Sequence, residues 1–328
     1  MNYKKLIGMV IVLVLLAGMA IMQKQGSRKG RPATAGNGAT LLQDVELNRI
    51  DSVEIAEGSN TVLLVKKDGR WVVGTLHNYP ADFGKLADAL RAASEVKMGR
   101  PVRAANVDTS EYGLDKAKTI SLESEGSEAV KLEIGARREA SDSAGWANQH
   151  FVRKGGSEDI YLVDYDFRPF NEESSDWIDT ELLNVRSAEI VSVKAGDVEL
   201  HAVSNSWVLA GLNEETEEFE SSEANKLRMA LQYLNCTTVA DPARSDADLG
   251  FTNAVAYSAS TTNKTYTVTL GGETDNGRYI RLGGDVPEEL NGWTYVISTH
   301  EAADFLITRD KLVKDKEPPE EREPLEEE

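Results

Sequence analysis

A stretch of about 136 residues occurs twice in this chain, and a repeat of that length constrains the fold more than any local motif. Val53, Ile55 and Gly58 match Val191, Val193 and Gly196 at an offset of 138, and Val62, Leu64 and Trp71 match Val198, Leu200 and Trp207 at 136. Lys85, Leu86 and Leu90 match Lys226, Leu227 and Leu231, and Gly113 with Ile120 matches Gly250 with Tyr257. Val130, Leu132, Ile134 and Gly135 then match Tyr266, Val268, Leu270 and Gly271. Phe151-Val152-Arg153 resembles Tyr279-Ile280-Arg281, and Ile160-Tyr161-Leu162-Val163 resembles Thr294-Tyr295-Val296-Ile297. Matches in one order with small gaps point to two copies of one unit, at 41–178 and 179–314. A chain of 328 residues has room for two such domains.

Periodicity within each copy predicts the elements. Val53 and Ile55 alternate with polar residues, as do Val62 and Leu64, and a Gly-containing turn between them makes a hairpin. Trp71-Val72-Val73 follows Asp68-Gly69 as a third strand. Phe83, Leu86, Ala87, Leu90 and Ala93 recur at helical spacing, with Pro80 and Asp82 as a start signal; Ser222 with Leu227, Leu231 and Leu234 repeats the pattern. Four short alternating runs, from Thr119, Val130, Phe151 and Ile160, complete an antiparallel sheet. The expected fold class is therefore α+β: two tandem duplicated domains, each an antiparallel β-sheet covered by one amphipathic helix. Trp71 and Trp207, at equivalent places, read as plugs between sheet and helix.

Ahead of the repeats, Leu6 to Met22 is a run of 17 uncharged residues, enough for roughly 25 Å of helix. It reads as a transmembrane anchor over 6–22 after a short N-terminus over 1–5, longer than the apolar region of a cleavable signal; a signal cleaved at Gly18-Met19-Ala20 is the alternative. Lys24, Arg28, Lys29 and Arg31 come after it, so the positive-inside rule taken alone puts the body in the cytoplasm. A five-residue N-terminus before a signal-like apolar run has the form of a segment that exports the rest of its chain, and the external orientation is the reading taken. Residues 23–40 form a polar, Gly-rich linker with a mean reach of about 20 to 25 Å.

Net charge excludes one class of partner. The formal charge is −19, but residues 1 to 31 hold six basic side chains and no acidic one, so in the rest 30 basic residues face 55 acidic ones and the body is near −25. Such a surface repels phosphate backbones, which excludes nucleic acid. The end of the chain, Asp315 to Glu328, has eight acidic and two basic residues with three prolines and reads as an acidic disordered tail.

No reactive pattern emerges. His77, His150, His201 and His300 are isolated from one another, with no metal-ligand spacing. A single Cys236 can form no internal disulfide, and its place beside Leu231 and Leu234 makes it a buried apolar residue. Gly155-Gly156, Gly271-Gly272 and Gly283-Gly284 fit turns between strands and match no phosphate loop. Glu214, Glu215, Glu217, Glu218 and Glu220, and separately Asp246 with Asp248, read as solvated loops, since neither group has calcium-loop spacing. The expectation is no enzyme, no catalytic, metal or cofactor-binding residue, and no cofactor.

One set of residues carries a family resemblance. Gly69-Arg70-Trp71-Val72-Val73, Tyr79-Pro80-Ala81-Asp82 opening a helix, Tyr112-Gly113-Leu114-Asp115, Leu132-Glu133-Ile134-Gly135 and the strand pair at Phe151 and Ile160 resemble the DUF4340 family over residues 41 to 310. Lys116-Ala117 stands where a proline is frequent in that family, and the second copy has Leu249-Gly250-Phe251 for Tyr112-Gly113-Leu114. The resemblance implies a single-pass protein of the bacterial inner membrane with an extracytoplasmic body. It also implies an association with ABC-type transport or gliding-motility auxiliary components. With the duplication, which doubles the scaffold surface, and the lack of a reactive pattern, the expectation is a non-catalytic accessory role and a protein partner in the cell envelope, with subunits of an ABC-type transporter as candidates. The alternative is an exported enzyme or glycan-binding module with a site between the two repeats.

Overall fold

The computed structural model describes residues 38–102, 108–138, 149–204 and 206–316. The first half comprises β1 (Ser52–Glu57), β2 (Asn60–Lys67), β3 (Arg70–Val73), β4 (Tyr79–Pro80), helix α1 (Phe83–Glu95), β5 (Met98–Val102), β6 (Lys118–Ser124), β7 (Ser127–Arg137), β8 (Gln149–Lys154) and β9 (Ile160–Asp164). These strands form one antiparallel sheet in the order β4-β3-β2-β1-β6-β7-β8-β9-β5. The register lines up the alternating apolar residues. Val53 lies opposite Leu64 and Leu122, Leu64 opposite Val73, and Ile55 opposite Val62 and Ile120, so one face is a continuous hydrocarbon layer. At Asp68-Gly69, φ angles of 50° and 80° supply the left-handed pair that a two-residue hairpin turn needs.

Helix α1 covers that layer. Asp82 caps it by accepting a hydrogen bond from the Lys85 amide at 3.0 Å, and Leu86, Ala89, Leu90 and Ala93 form the buried stripe. The periodicity placed Phe83 and Ala87 in this stripe, but Phe83 is 59% exposed and Ala87 only half-buried. At about 100° per residue both fall on one flank of the line through Leu86, Ala89, Leu90 and Ala93, beyond the sheet's reach.

The second half comprises β10 (Glu181–Leu183), β11 (Ile190–Ala195), β12 (Val198–Val203), β13 (Ser206–Leu209), β14 (Glu217–Phe219), helix α2 (Ser221–Met229), β15 (Leu234–Asn235), β16 (Thr238–Val239), β17 (Val255–Thr261), β18 (Thr265–Thr274), β19 (Gly277–Gly284), β20 (Tyr295–Ser298), helices α3 (Thr299–Phe305) and α4 (Arg309–Leu312), and β21 (Val313–Asp315). Its main sheet runs β13-β12-β11-β17-β18-β19-β20-β16, and β10 with β15 and β14 with β21 form two small ribbons. With β4 set aside, the two main sheets have the same order of steps along the chain. The fold is α+β and rich in sheet.

One covering helix per half is not what the second half has. Helix α2 is nine residues long, about 14 Å, and buries only Ala224 and Leu227. Leu231, Leu234 and Cys236 stay buried beyond its end, and the remaining cover comes from α3 and α4 through Ala302, Phe305 and Leu312. Phe305 meets Tyr257 of β17 edge to face at 4.8 Å, and the Tyr257 hydroxyl donates to the Leu227 carbonyl at 2.8 Å, so α2, α3 and the sheet share one core. A Ser298–Glu301 capping box starts α3.

Among the described residues no helix is long and apolar enough to cross a membrane. The anchor expected over 6–22, its flanks through residue 37, and residues 317–328 of the acidic tail lie outside the described residues. The chain remains paired as far as Lys316, whose amide donates to the Thr216 carbonyl at 2.8 Å.

Candidate functional site

Polar groups converge on a cleft of about 300 Å³ in the second half. Three segments build it: the loop from Asp241 to Gly250, strand β19, and Gly292 to Thr294 ahead of β20. The loop is held by its own side chains. Asp241 Oδ1 accepts from the Ala243 amide at 2.8 Å, and the Ser245 hydroxyl donates to Asp248 Oδ2 at 2.6 Å while accepting from the Asp248 amide. At its end Gly250 has φ +71°, and the Gly272 amide donates to the Leu249 carbonyl at 2.8 Å, which pins the loop on β18.

On β19, Tyr279 and Arg281 alternate with buried Ile280 and so project from the face opposite the core. Arg281 lies 4.0 Å over the Phe251 ring, its Nε donates to Thr294 Oγ1 at 2.9 Å, and its Nη2 donates to Asp246 at 2.6 Å. Arg244 lies over the Tyr279 ring, donates from Nη1 to the Tyr279 hydroxyl at 2.7 Å and from Nη2 to the Asp248 carbonyl at 3.0 Å. Each guanidinium is thus fixed by one ring and two acceptors. Trp293 and Leu249 supply apolar wall.

Two carboxylates of the loop are shifted toward their charged form. The hydrogen bond from Arg281 keeps Asp246 below the usual carboxylate range, and the bonds from Ser245 do the same for Asp248. The first half reaches this edge as well. His77 Nδ1 stands 3.7 Å from Asp241 Oδ1, and Tyr79 packs edge to face on Trp293 with centroids 4.8 Å apart.

The other residues that stood out in the sequence do not converge. His150 Nδ1 lies 3.0 Å from the Tyr165 carbonyl, His201 pairs with Glu199 at 3.1 Å, and His300 sits on α3, so the four histidines occupy separate places. Among the described residues no three His, Cys, Asp or Glu side chains are grouped to hold a metal ion. Cys236 is buried, and burial pushes its thiol up to about 12, leaving it protonated. Trp71 and Trp207 are half-buried at the rim of the core, and Arg228 of α2 lies 4.5 Å over the Trp207 ring, so they close the edges of the helix layer and do not plug its centre.

Two loop expectations are corrected. Glu217 and Glu218 belong to a strand, β14, because it pairs with β21 and the segment around β21 brings cations to it: Arg309 of α4 binds Glu217 at 2.7 Å, Lys314 of β21 pairs with Glu220, and Lys316 just beyond donates to the Glu214 carbonyl. Gly271-Gly272 is no turn. It lies inside β18, where a Cβ on Gly250 would stand 2.6 Å from the Gly272 backbone, so close contact between two backbones demands these glycines. Asp246 is solvated as expected, with its side chain 65% exposed, and it also binds Arg281.

The model of a domain of unknown function, DUF4340, matches residues 71–254 of this chain. The chain belongs to the DUF4340 family. No curated protein and no solved structure matches it. The DUF4340 match begins in β3, takes in the later strands of the first sheet and the loop from Asp241 to Gly250, and stops before β17. Arg281 and Trp293 lie beyond it, so the DUF4340 match covers only one wall of the cleft. Arg244, Asp241 and Trp293 were not singled out in the sequence, where each is an isolated residue of a loop, and Arg281 entered only as part of the repeated Tyr279-Ile280-Arg281 strand; alternating Tyr279 and Arg281 on one strand face was the available signal.

Proposed function

We propose that this DUF4340 protein is a non-catalytic accessory protein, anchored in the bacterial inner membrane by residues 6–22. Its body lies on the extracytoplasmic side, where it binds another protein of the cell envelope, with ABC-type transport subunits as the partners to test. Its two sheets are read as copies of one unit, which matching strand order supports. Matched corners support it too: left-handed Gly113 packs against the β7 backbone at Ala136 as left-handed Gly250 packs against β18 at Gly272.

The observation that carries the non-catalytic reading is the state of the cleft. A general acid or base works with a pKa near the working pH, whereas the two guanidiniums of the cleft stay charged and are tied to rings and acceptors. Fixed charges beside apolar wall suit recognition. Crosslinking in intact cells at native expression, followed by purification of the full chain, should recover a defined envelope complex. A full chain that crosslinks to no envelope protein sinks the reading, and a phosphatase fused after residue 328 that is inactive in cells overturns the orientation.

A second reading, the glycan-binding module, draws on one feature: Asp241 and the Trp293 ring line the same cleft, a pairing that can hold a sugar's hydroxyls and its C–H face. Binding of neutral saccharides at micromolar concentration would favour it.

A further inference from the structure

The cleft of the second half offers three different kinds of contact in a space of about 300 Å³, and their combination narrows what can occupy it. The first is positive. Arg281 uses Nε and Nη2 on Thr294 and Asp246, and Arg244 uses Nη1 and Nη2 on Tyr279 and Asp248. Nη1 of Arg281 and Nε of Arg244 therefore have N–H groups with no acceptor among the described residues, on guanidiniums that stacking over Phe251 and Tyr279 already holds in place. Fixed guanidinium edges in a partly enclosed site select carboxylate.

The second contact is an acceptor. Asp241 Oδ1 is used by the Ala243 amide and faces His77, but Oδ2 has no hydrogen-bond partner among the described residues. It calls for an N–H or O–H donor on the ligand and repels a second acid group. The third is apolar: Leu249, Pro242 and the Trp293 ring, room for one side chain of moderate size.

We propose that this cleft receives the C-terminal residue of an extended peptide. The terminal carboxylate meets Arg281 and Arg244, its backbone N–H meets Asp241, and an apolar last side chain lies against Leu249 and Trp293. A fatty acid has no donor for Asp241, and an acidic sugar has no apolar branch for Leu249 and Pro242, so the peptide end uses all three contacts. This deepens the protein-binding role proposed above and rests on it, since it names the part of the partner that is held.

The test is titration of the full chain in detergent with an acetylated tripeptide ending in leucine, its C-terminal amide and glucuronate, monitored by calorimetry. The free acid binds, the amide binds at least about tenfold more weakly, and Arg281→Gln or Arg244→Gln loses about tenfold for the acid alone. Equal binding of acid and amide overturns the proposal, as does absence of binding at millimolar peptide or tighter binding of glucuronate. If Arg281→Gln fails to fold, the acid and amide comparison on the wild-type chain decides. Should Arg281→Gln and Arg244→Gln fold and keep their envelope crosslinks while no peptide binds, the accessory role stands and the cleft assignment falls.

Discussion

Tyr79 and Trp293 stand edge to face with ring centroids 4.8 Å apart, one from the edge strand of the first sheet and one from the loop ahead of β20 in the second. Tyr79 also meets Tyr295 at 6.2 Å, and it is 4% exposed. The chain reaches this position through His77 and Asn78, consecutive non-glycine residues with φ of 56° and 62°, a strained turn that the contact on the far side must hold. Tyr79→Ala removes the ring from both partners and should cost about 3 kcal/mol or more. Calorimetry should then show two unfolding transitions, one for each half, where the wild-type chain is expected to show one. A single transition that merely shifts down would show that the halves are coupled elsewhere.

Cys236 gives a prediction about alkaline pH. Its thiol is pushed up to about 12 by burial, against an unfolded value of about 8.5, so the unfolded chain releases this proton first. Stability must fall as pH rises from about 8.5 toward 12, and Tyr257 and Tyr295, also raised by burial, steepen the decline. In Cys236→Ala the slope of unfolding free energy against pH should be shallower between about 9 and 11. Parallel slopes for the two chains would contradict this, as would rapid modification of the native thiol at pH 8.

How much was legible in the sequence depends on how local each cause is. Val53 and Ile55, Val62 and Leu64 announced their strands because one buried face imposes a period of two, and Asp68-Gly69 announced its turn because few residues tolerate two left-handed conformations. Cys236 announced its burial through Leu231 and Leu234. The acidic stretch from Glu214 to Glu220 could not be read as a strand, since Arg309 and Lys314, which neutralise it, lie some 90 residues away in the chain. Helices α3 and α4 are too short to form without the core that Phe305 and Leu312 enter. The cleft is less legible still, because Arg244 and Arg281 gain meaning only when the loop folds back on β19.

Glycine positions separate two kinds of constraint. At Gly250 a side chain meets both a left-handed φ of +71° and the Gly272 backbone 2.6 Å away, and Gly113 repeats this with φ +66° and the Ala136 amide nitrogen at 2.7 Å. At Gly58, with φ +61°, nothing lies within 4 Å. Gly58→Ala should therefore cost about 1 kcal/mol, from backbone strain alone, whereas Gly250→Ala and Gly113→Ala should each cost about 3 kcal/mol or more by separating strand from loop. Urea denaturation of the three variants checks the order. Gly250→Ala should also weaken whatever the cleft binds, because the loop carrying Arg244 ends there.

Lys118 connects the first sheet to the segment that leads into the second half. It is 15% exposed, its ammonium lies 2.9 Å from Glu57 and 2.6 Å from Glu172, and it donates to the Phe170 carbonyl at 3.2 Å. Burial alone would lower its pKa, but the hydrogen bonds to Glu172 and Glu57 raise it on balance, and the same bond from Lys118 lowers Glu172. A lowered carboxylate contributes stability above its unfolded value, near about 4.3, and loses it as pH falls through the folded value; a raised amine contributes below about 10.4 and loses it above. Lys118→Met, which keeps the apolar stem but leaves two carboxylates without their cation, should cost about 2 kcal/mol at pH 7. The deficit should shrink as pH falls below about 4.3 and through the lowered folded value of Glu172, where the stability that the Lys118 bond gives this carboxylate is lost. Urea titrations of both chains from pH 3 to pH 8 measure it directly. A deficit of constant size across that range would mean that Lys118 contributes packing and not charge.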